Sequence, residues 1–248
     1  MSTETGESWV AAREGQERWL HHLPRTRVVR DRRAWLVDLC RGQSVAHIGF
    51  ADLGCERTNA SDERWLHARV ASSASRVVGL DVSATSVELA RSRGFEAYEV
   101  DCTQIAAVES LGIHNFDIVL AGEVIEHLDN SGGFLRAMHS LACADGRLVI
   151  TTPNARRLMD TFTAALGREI VHPDHTTIYS VRTLTALLAR HEWDVVLTTT
   201  YANELEGRPR NLREAGLRSV GLFQKTLVRV APYVADGLIV VAKPSRRS

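Results

Sequence analysis

Five short apolar segments, each followed by a glycine, an acidic residue or an asparagine, constrain the fold of this chain most strongly. Stretches with helical spacing of apolar residues lie between several of them. Short apolar strands that alternate with amphipathic helices are typical of a parallel sheet covered by helices on both faces. The predicted strands are residues 44–48, 76–80, 97–100, 116–121 and 147–151, and the intervening helices are residues 62–72, 83–93 and 131–141.

The pattern continues with less regularity on both sides of this segment. Residues 195–200 and 237–242 predict two further strands, and residues 181–191 and 212–230 predict helices. Two helices separated by Pro24 are predicted before residue 43, with Val28 and Val29 in the second. We therefore expect an α/β fold with a doubly wound, mostly parallel, seven-stranded sheet. An N-terminal helical cap (residues 1–42) precedes one domain (residues 43–248).

Charge and composition narrow the class of partners. The 248 residues contain 30 Lys+Arg and 30 Asp+Glu, so the formal net charge is zero. Proteins that coat nucleic acid or an anionic membrane are usually more basic, so we expect neither partner. The polar first residues lack the apolar core of a signal peptide, and the four cysteines form no CxxC pair. These features predict a cytoplasmic protein without a transmembrane helix.

The residues that follow the predicted strands indicate a ligand site, because parallel sheets bind ligands at the carboxyl ends of their strands. Gly49 permits close backbone approach. Asp81 can accept hydrogen bonds from both hydroxyls of a ribose, and Asp101 can accept one from an exocyclic amine. Together they predict a nucleoside-bearing cofactor. The alternative is that such acids only cap the following helices, as Asp81 could do before Ser83.

The first turn argues against a dinucleotide. Residues 49–54 read Gly-Phe-Ala-Asp-Leu-Gly, with too few glycines for a pyrophosphate loop, and Asp52 would repel a phosphate. A cofactor with a positive centre and no phosphate, such as S-adenosylmethionine, fits this turn better.

Three stretches, residues 77–81, 116–128 and 145–154, resemble motifs of the class I S-adenosylmethionine-dependent methyltransferases. The resemblance covers roughly residues 43–200 and implies a Rossmann-like fold. It implies that Gly49 lies under the methionine part, that Asp81 holds the ribose and that Asp101 meets the adenine amine. The implied cofactor site comprises Gly49, Phe50, Asp81, Val82, Asp101, Cys102 and Glu123.

The chain departs from the usual motif near its first strand. His47 stands where an acid is common, and the loop after Gly49 is longer than in a tight nucleotide-binding unit. The segment His172-Pro173-Asp174-His175 resembles methyltransferases of glycan and natural-product pathways. That resemblance implies a sugar or another natural product as the small-molecule acceptor.

Two histidines are candidates for the base that removes a proton from an acceptor hydroxyl: His127, which we favour, and His175. Alternatively, Glu123, Glu126 and His127 would share one helix face and, with His172 or His175, bind Mg²⁺ or Mn²⁺. That cluster resembles the metal site of methyltransferases acting on the 3′-terminal ribose of small RNAs. Similar clusters occur in ubiquinone-pathway O-methyltransferases.

Three functions remain open from the sequence. The first is O-methylation of a small molecule, the second is metal-dependent 2′-O-methylation of an RNA 3′-terminal ribose, and the third is a non-catalytic cofactor-binding scaffold. The basic stretch between Arg25 and Arg33 could grip an anionic acceptor or be a solvated face. The amphipathic residues 212–230 could form a homodimer face, a substrate lid or part of the core. The sequence does not predict the acceptor's identity.

Overall fold

The computed structural model describes residues 22–51, 65–203 and 212–245. The strands are β1 (Val28–Val29), β2 (Ser44–Ile48), β3 (Arg76–Asp81), β4 (Glu96–Glu99), β5 (Phe116–Gly122), β6 (Ala142–Pro153), β7 (Trp193–Tyr201) and β8 (Gly237–Pro244). The helices are α1 (Arg32–Cys40), α2 (Leu66–Ala71), α3 (Ala84–Ser92), α4 (Ile105–Ser110), α5 (Ser131–Leu141), α6 (Leu158–Ala165), α7 (Val181–Arg190) and α8 (Leu212–Leu227). Short 3-10 helices cover Ile125–His127 and Pro232–Val234.

All strands form one sheet in the order β1-β7-β8-β6-β5-β2-β3-β4. Every pair is parallel except those of β8, which runs antiparallel to β6 and β7. The strand order reverses between β2 and β5, where Ile48 is in register with Leu80 on one side and Ala121 on the other. This switch point brings the carboxyl ends of β2, β3 and β5 together, which is where such sheets bind ligands.

Side chains of the central strands alternate between two apolar layers. Ala46 and Val119 pack in one layer with α5 and α7, whereas Val45 and Ile118 pack in the other with α1 and α2. Because both faces are covered, the central strands are apolar at nearly every position. The resulting rigid sheet holds the strand ends in fixed positions.

The seven predicted strands are present, but the prediction of a helix at Val28 and Val29 is wrong. These residues form β1, which pairs with Thr200 and Tyr201 of β7 and gives the sheet an eighth strand. Helix α1 begins only at Arg32, after Asp31 caps it by accepting a hydrogen bond from the Ala34 amide. β-branched valines favour the extended conformation once a strand is available for pairing.

Some predictions fall outside the described residues. The helix predicted before Pro24 lies largely in residues 1–21, and most of the long first loop lies in residues 52–64. The division of the chain at residue 42 remains a prediction. Within the described ranges, none of the helices combines the length and apolar character needed to cross a bilayer.

Candidate functional site

Gly49 ends β2 in a conformation that favours glycine. Its φ is 63°, and a Cβ built there would lie 2.5 Å from Cγ2 of Val124. The chain after β2 and the chain after β5 therefore approach each other closely at the switch point. A side chain at position 49 would fill this space, which fits the backbone approach that a cofactor requires.

The Phe50 side chain does not face the candidate cofactor site. It is 1% exposed and packs in a layer with Trp65, while the indole of Trp65 donates a hydrogen bond to the Phe50 carbonyl at 2.9 Å. The ring also contacts the ring of His67 in a tilted arrangement, with 4.7 Å between ring centroids. The Phe50 side chain is therefore a core residue, and the cofactor contact predicted at this position stays a prediction.

Two histidines form a buried pair beneath this turn. Nδ1 of His47 lies 3.2 Å from Nδ1 of His67. Burial lowers the pKa of His67 to about 4, and burial together with His67 lowers the pKa of His47. Both rings are therefore neutral near pH 7, with one nitrogen donating to the other.

Asp81 joins the first turn to helix α3. One carboxylate oxygen accepts from the amide of Ala51 at 3.1 Å, and the other accepts from the amide of Ser83 at 2.9 Å. The α3 cap is Ser83 itself, whose hydroxyl accepts from the Ser86 amide, so Asp81 is not the residue that caps this helix. A carboxylate offers about four acceptor sites, so Asp81 retains capacity for two ribose hydroxyls. The adjacent Val82 is 68% exposed.

Asp101 and Cys102 follow β4 at the same corner. Asp101 accepts from the hydroxyl and the amide of Thr103 at 2.7 and 2.9 Å, and both bonds lower its pKa. Burial, followed by the charges of Asp101 and Asp81, raises the pKa of the Cys102 thiol to about 12. This side chain is only 7% exposed, and the cofactor contact predicted for Cys102 stays a prediction.

Glu123 follows β5 with a φ of 56° and lies in a polar network. Its Oε1 accepts from the hydroxyls of Thr151 at 2.8 Å and Tyr201 at 2.9 Å. The same oxygen forms a 2.8 Å salt bridge with Arg32. Sequence reasoning missed Arg32 and Tyr201 as neighbours of the site. The basic stretch from Arg25 to Arg33 is the only sequence signal that points to Arg32, and it does not identify Glu123 as the partner of Arg32.

The prediction that Glu123, Glu126 and His127 share one helix face is wrong. The left-handed conformation of Glu123 interrupts the helix, and only a three-residue 3-10 turn follows. Glu126 is 0% exposed and neither of its carboxylate oxygens has a hydrogen-bond partner among the described residues, whereas His127 is exposed. Burial and the Glu123 charge raise the pKa of Glu126 to about 8.

A different cluster forms where the 3-10 turn after β5 meets residues 172–176. His127, His172 and His175 each present one ring nitrogen, and these three atoms lie within 4.8 Å of one another. The segment carrying His172 and His175 is attached to the 3-10 turn because the Thr176 amide donates to the Glu126 carbonyl at 2.9 Å. Burial and the other two histidines lower the pKa of His175, while Glu123 acts in the opposite direction.

The strand order, with its switch point between β2 and β5 and one antiparallel strand, is the Rossmann-like fold of a class I methyltransferase. The sequence profile of the methyltransferase-domain family matches residues 15–198. The chain therefore belongs to this family of S-adenosylmethionine-dependent enzymes.

Curated relatives are named ubiquinone biosynthesis O-methyltransferases. One, from Rhodopseudomonas palustris (strain TIE-1), is 31% identical over 172 residues, which are 68% of this chain and 62% of the relative. Another, from Bradyrhizobium sp. (strain ORS 278), is 33% identical over 99 residues, 39% of this chain and 38% of the relative. The matched region thus spans less than two thirds of the length of these relatives.

Solved structures show the same fold. A putative methyltransferase from Bacillus halodurans C-125 has a TM-score of 0.56 at 12% identity, covering 86% of this chain and 99% of that one. The 1,6-didemethyltoxoflavin-N1-methyltransferase of Burkholderia thailandensis, solved with 1,6-didemethyltoxoflavin and S-adenosylhomocysteine, has a TM-score of 0.50 at 16% identity, covering 86% and 76%.

Proposed function

We propose that this protein transfers a methyl group from S-adenosylmethionine to a hydroxyl oxygen of a small-molecule acceptor, a sugar or another natural product. One observation carries the proposal: His127, in the 3-10 turn after β5, lies together with His172 and His175 at the sheet edge that also bears the candidate cofactor residues. The curated relatives, named O-methyltransferases, support oxygen as the methylated atom.

The cofactor supplies an electrophilic methyl group, and the chain's own residues bind and orient its parts. In this proposal Gly49 leaves room beneath the methionine portion and Asp81 accepts from the ribose hydroxyls. Asp101 accepts from the adenine amine, and Val82 and the backbone of Phe50 and Cys102 contact the base and ribose. Glu123, already bonded to Arg32, lies beside the methionine end.

His127 is the proposed base. Its Nδ1 lies 3.2 Å from the carbonyl oxygen of Asp174. A carbonyl can only accept, so Nδ1 carries the proton in this contact, and Nε2 keeps its lone pair for the acceptor hydroxyl. Proton removal by a positioned imidazole, with the acceptor oxygen held in line with the methyl group, accounts for the rate acceleration. His175 is the second candidate because its lowered pKa keeps it neutral.

The RNA alternative receives no support from the site. It rested on Glu123 and Glu126 as ligands beside His127. The Glu126 carboxylate is buried, and Glu123 is engaged by Arg32, Thr151 and Tyr201. The zero net charge also disfavours a polyanionic substrate.

Calorimetric titration with S-adenosylmethionine and S-adenosylhomocysteine tests the proposal first. The protein is then incubated with sugar and phenolic natural-product acceptors, and the products are examined by mass spectrometry for an added methyl group. We expect cofactor binding and methylation at a hydroxyl. Cofactor binding without product from any acceptor would favour the scaffold alternative, and methylation at nitrogen or carbon would contradict the proposed reaction.

A further inference from the structure

We propose that His127, His172 and His175 form a binding site for a divalent transition metal ion of the zinc and cobalt type, coordinated by three imidazoles and no carboxylate. This set differs from the mixed glutamate–histidine set that the sequence predicts for Mg²⁺ or Mn²⁺.

The geometry of the three rings carries the inference. The ring centroids of His127 and His175 are 4.6 Å apart, those of His172 and His175 are 5.2 Å apart, and the candidate ligand nitrogens lie within 4.8 Å of one another. Tetrahedral coordination with Zn–N bonds of about 2.0 Å places nitrogens about 3.3 Å apart. Small side-chain rotations close this gap, and the exposed His127 and His172 are free to make them.

The backbone of one residue positions two of the ligands. The Asp174 carbonyl lies 3.2 Å from Nδ1 of His127 and can accept its proton. The Asp174 amide donates to Nδ1 of His172 at 3.3 Å, so this nitrogen carries a lone pair, and a metal ion bound there would replace the contact. Histidines that bind metals usually donate their second ring nitrogen to such a carbonyl, which fixes tautomer and orientation. The His175 amide also donates to the His172 carbonyl at 3.0 Å, so the segment is held in a turn.

The neighbouring acids are not placed to contribute. The side chain of Glu126 is buried, and Arg32 neutralises Glu123. Among the described residues, the group of potential ligands contains the three histidines alone. Imidazole nitrogens suit zinc, cobalt, nickel and copper, whereas Mg²⁺ and Mn²⁺ prefer oxygen. The site therefore discriminates against Mg²⁺.

Three protein ligands leave a fourth coordination position open, which is typical of catalytic rather than structural zinc sites. An acceptor hydroxyl bound to the metal ion at that position would have a lowered pKa. This role rests on the proposed function, but metal binding itself does not. An imidazole that coordinates a metal through Nε2 has no lone pair for a proton, so His127 serves as base only in the metal-free protein.

Cobalt titration of the tag-free, chelator-treated protein, without cofactor or acceptor, tests the site. We expect one Co²⁺ per chain with visible absorption bands of low-symmetry coordination, displacement by Zn²⁺ and no competition from Mg²⁺. His172→Ala removes a ligand that is not a candidate base, and we expect its Co²⁺ affinity to fall about tenfold or more. His114→Ala, at an exposed histidine outside the cluster, is the matched control and retains wild-type affinity.

Absence of Co²⁺ binding, unchanged affinity in folded His172→Ala, or equal competition by Mg²⁺ would each overturn the inference. Circular dichroism confirms that each variant is folded. Methyl transfer without Co²⁺ binding would leave the proposed function standing and refute the metal site. Co²⁺ binding without methyl transfer to any acceptor would leave the metal site standing and refute the proposed function.

Discussion

Tyr201 donates a hydrogen bond to Glu123 across 2.9 Å and thereby connects the last residue of β7 to the residue that follows β5. Arg32 completes the contact, because its guanidinium lies 5.1 Å from the Tyr201 ring centroid and 2.8 Å from the same carboxylate oxygen. Close packing at this point also explains Gly237, where a Cβ would collide with the Tyr201 ring. Helix α1 is therefore joined to the candidate site by the salt bridge between Arg32 and Glu123.

Tyr201→Phe tests this connection. The change deletes a hydrogen bond to a carboxylate in a largely buried setting, so we expect a loss of about 1.5 to 3 kcal/mol in the free energy of unfolding. Urea denaturation measures it. Tyr98→Phe is the control, because its hydroxyl lies 3.3 Å from Glu96 at the surface and should contribute less than about 1 kcal/mol. Equal losses in the two variants would contradict the buried network.

Asp81→Asn tests the proposed ribose contact. The asparagine amide has one oxygen and carries no charge, so it cannot accept hydrogen bonds as the two carboxylate oxygens of Asp81 do. We therefore expect the binding free energy of S-adenosylmethionine to weaken by about 2 kcal/mol, or roughly thirtyfold in affinity. Calorimetry measures the change. Asp117→Asn is the matched control, since Asp117 accepts two hydrogen bonds from Ser44 at the other end of β5 and should not affect cofactor binding. Wild-type affinity in folded Asp81→Asn would refute the ribose contact.

The strands could be predicted from the sequence because each buried parallel strand needs a nearly continuous apolar run. Strand β1 could not be predicted, since a two-residue segment is too short to show a strand pattern and forms a strand only by pairing with β7. The extra length of β6, which begins at Ala142 rather than at residue 147, likewise comes from tertiary pairing.

The positions of the site residues were more predictable than their side-chain directions. Strand ends located Gly49, Asp81, Asp101 and Glu123, because the topology of a parallel sheet determines where its carboxyl edge lies. The burial of Phe50 and Glu126 depends on neighbouring elements distant in sequence and on a left-handed residue at position 123. Helical periodicity therefore places Glu126 and His127 on one face, whereas the structure buries Glu126 and exposes His127.

His127→Asn tests the proposed base. Removal of a general base typically slows the chemical step by about 10²–10⁴-fold, while cofactor binding should stay at the wild-type level. The assay uses chelator-treated protein, so that no metal ion can replace the base, and measures kcat at saturating cofactor. His114→Asn is the control and should keep the wild-type kcat. A wild-type kcat in folded His127→Asn would transfer the role to His175.

The buried pair His47 and His67 predicts a contribution that lowers stability in mild acid, while buried Glu126, whose pKa is raised to about 8, contributes in the opposite direction over much of this range. An unfolded histidine has a pKa of about 6.5, whereas burial lowers that of His67 to about 4. Between these values the unfolded chain binds more protons at this histidine, so its contribution to the free energy of unfolding falls as pH decreases. The lowered pKa of His67 accounts for a loss of up to about 3 kcal/mol, and His47 acts in the same direction.

Denaturation in urea at several pH values between 4 and 7 measures this dependence. His67→Phe places an apolar ring among Phe50, Trp65 and Phe95, which already contact the histidine. The variant removes a group that makes the free energy of unfolding rise with pH, so we expect a slope of unfolding free energy against pH that is less positive than in the wild type, whatever the absolute stability. His114→Phe, at an exposed position, should keep the wild-type slope. Equal slopes in the wild type and folded His67→Phe would contradict the lowered pKa of His67.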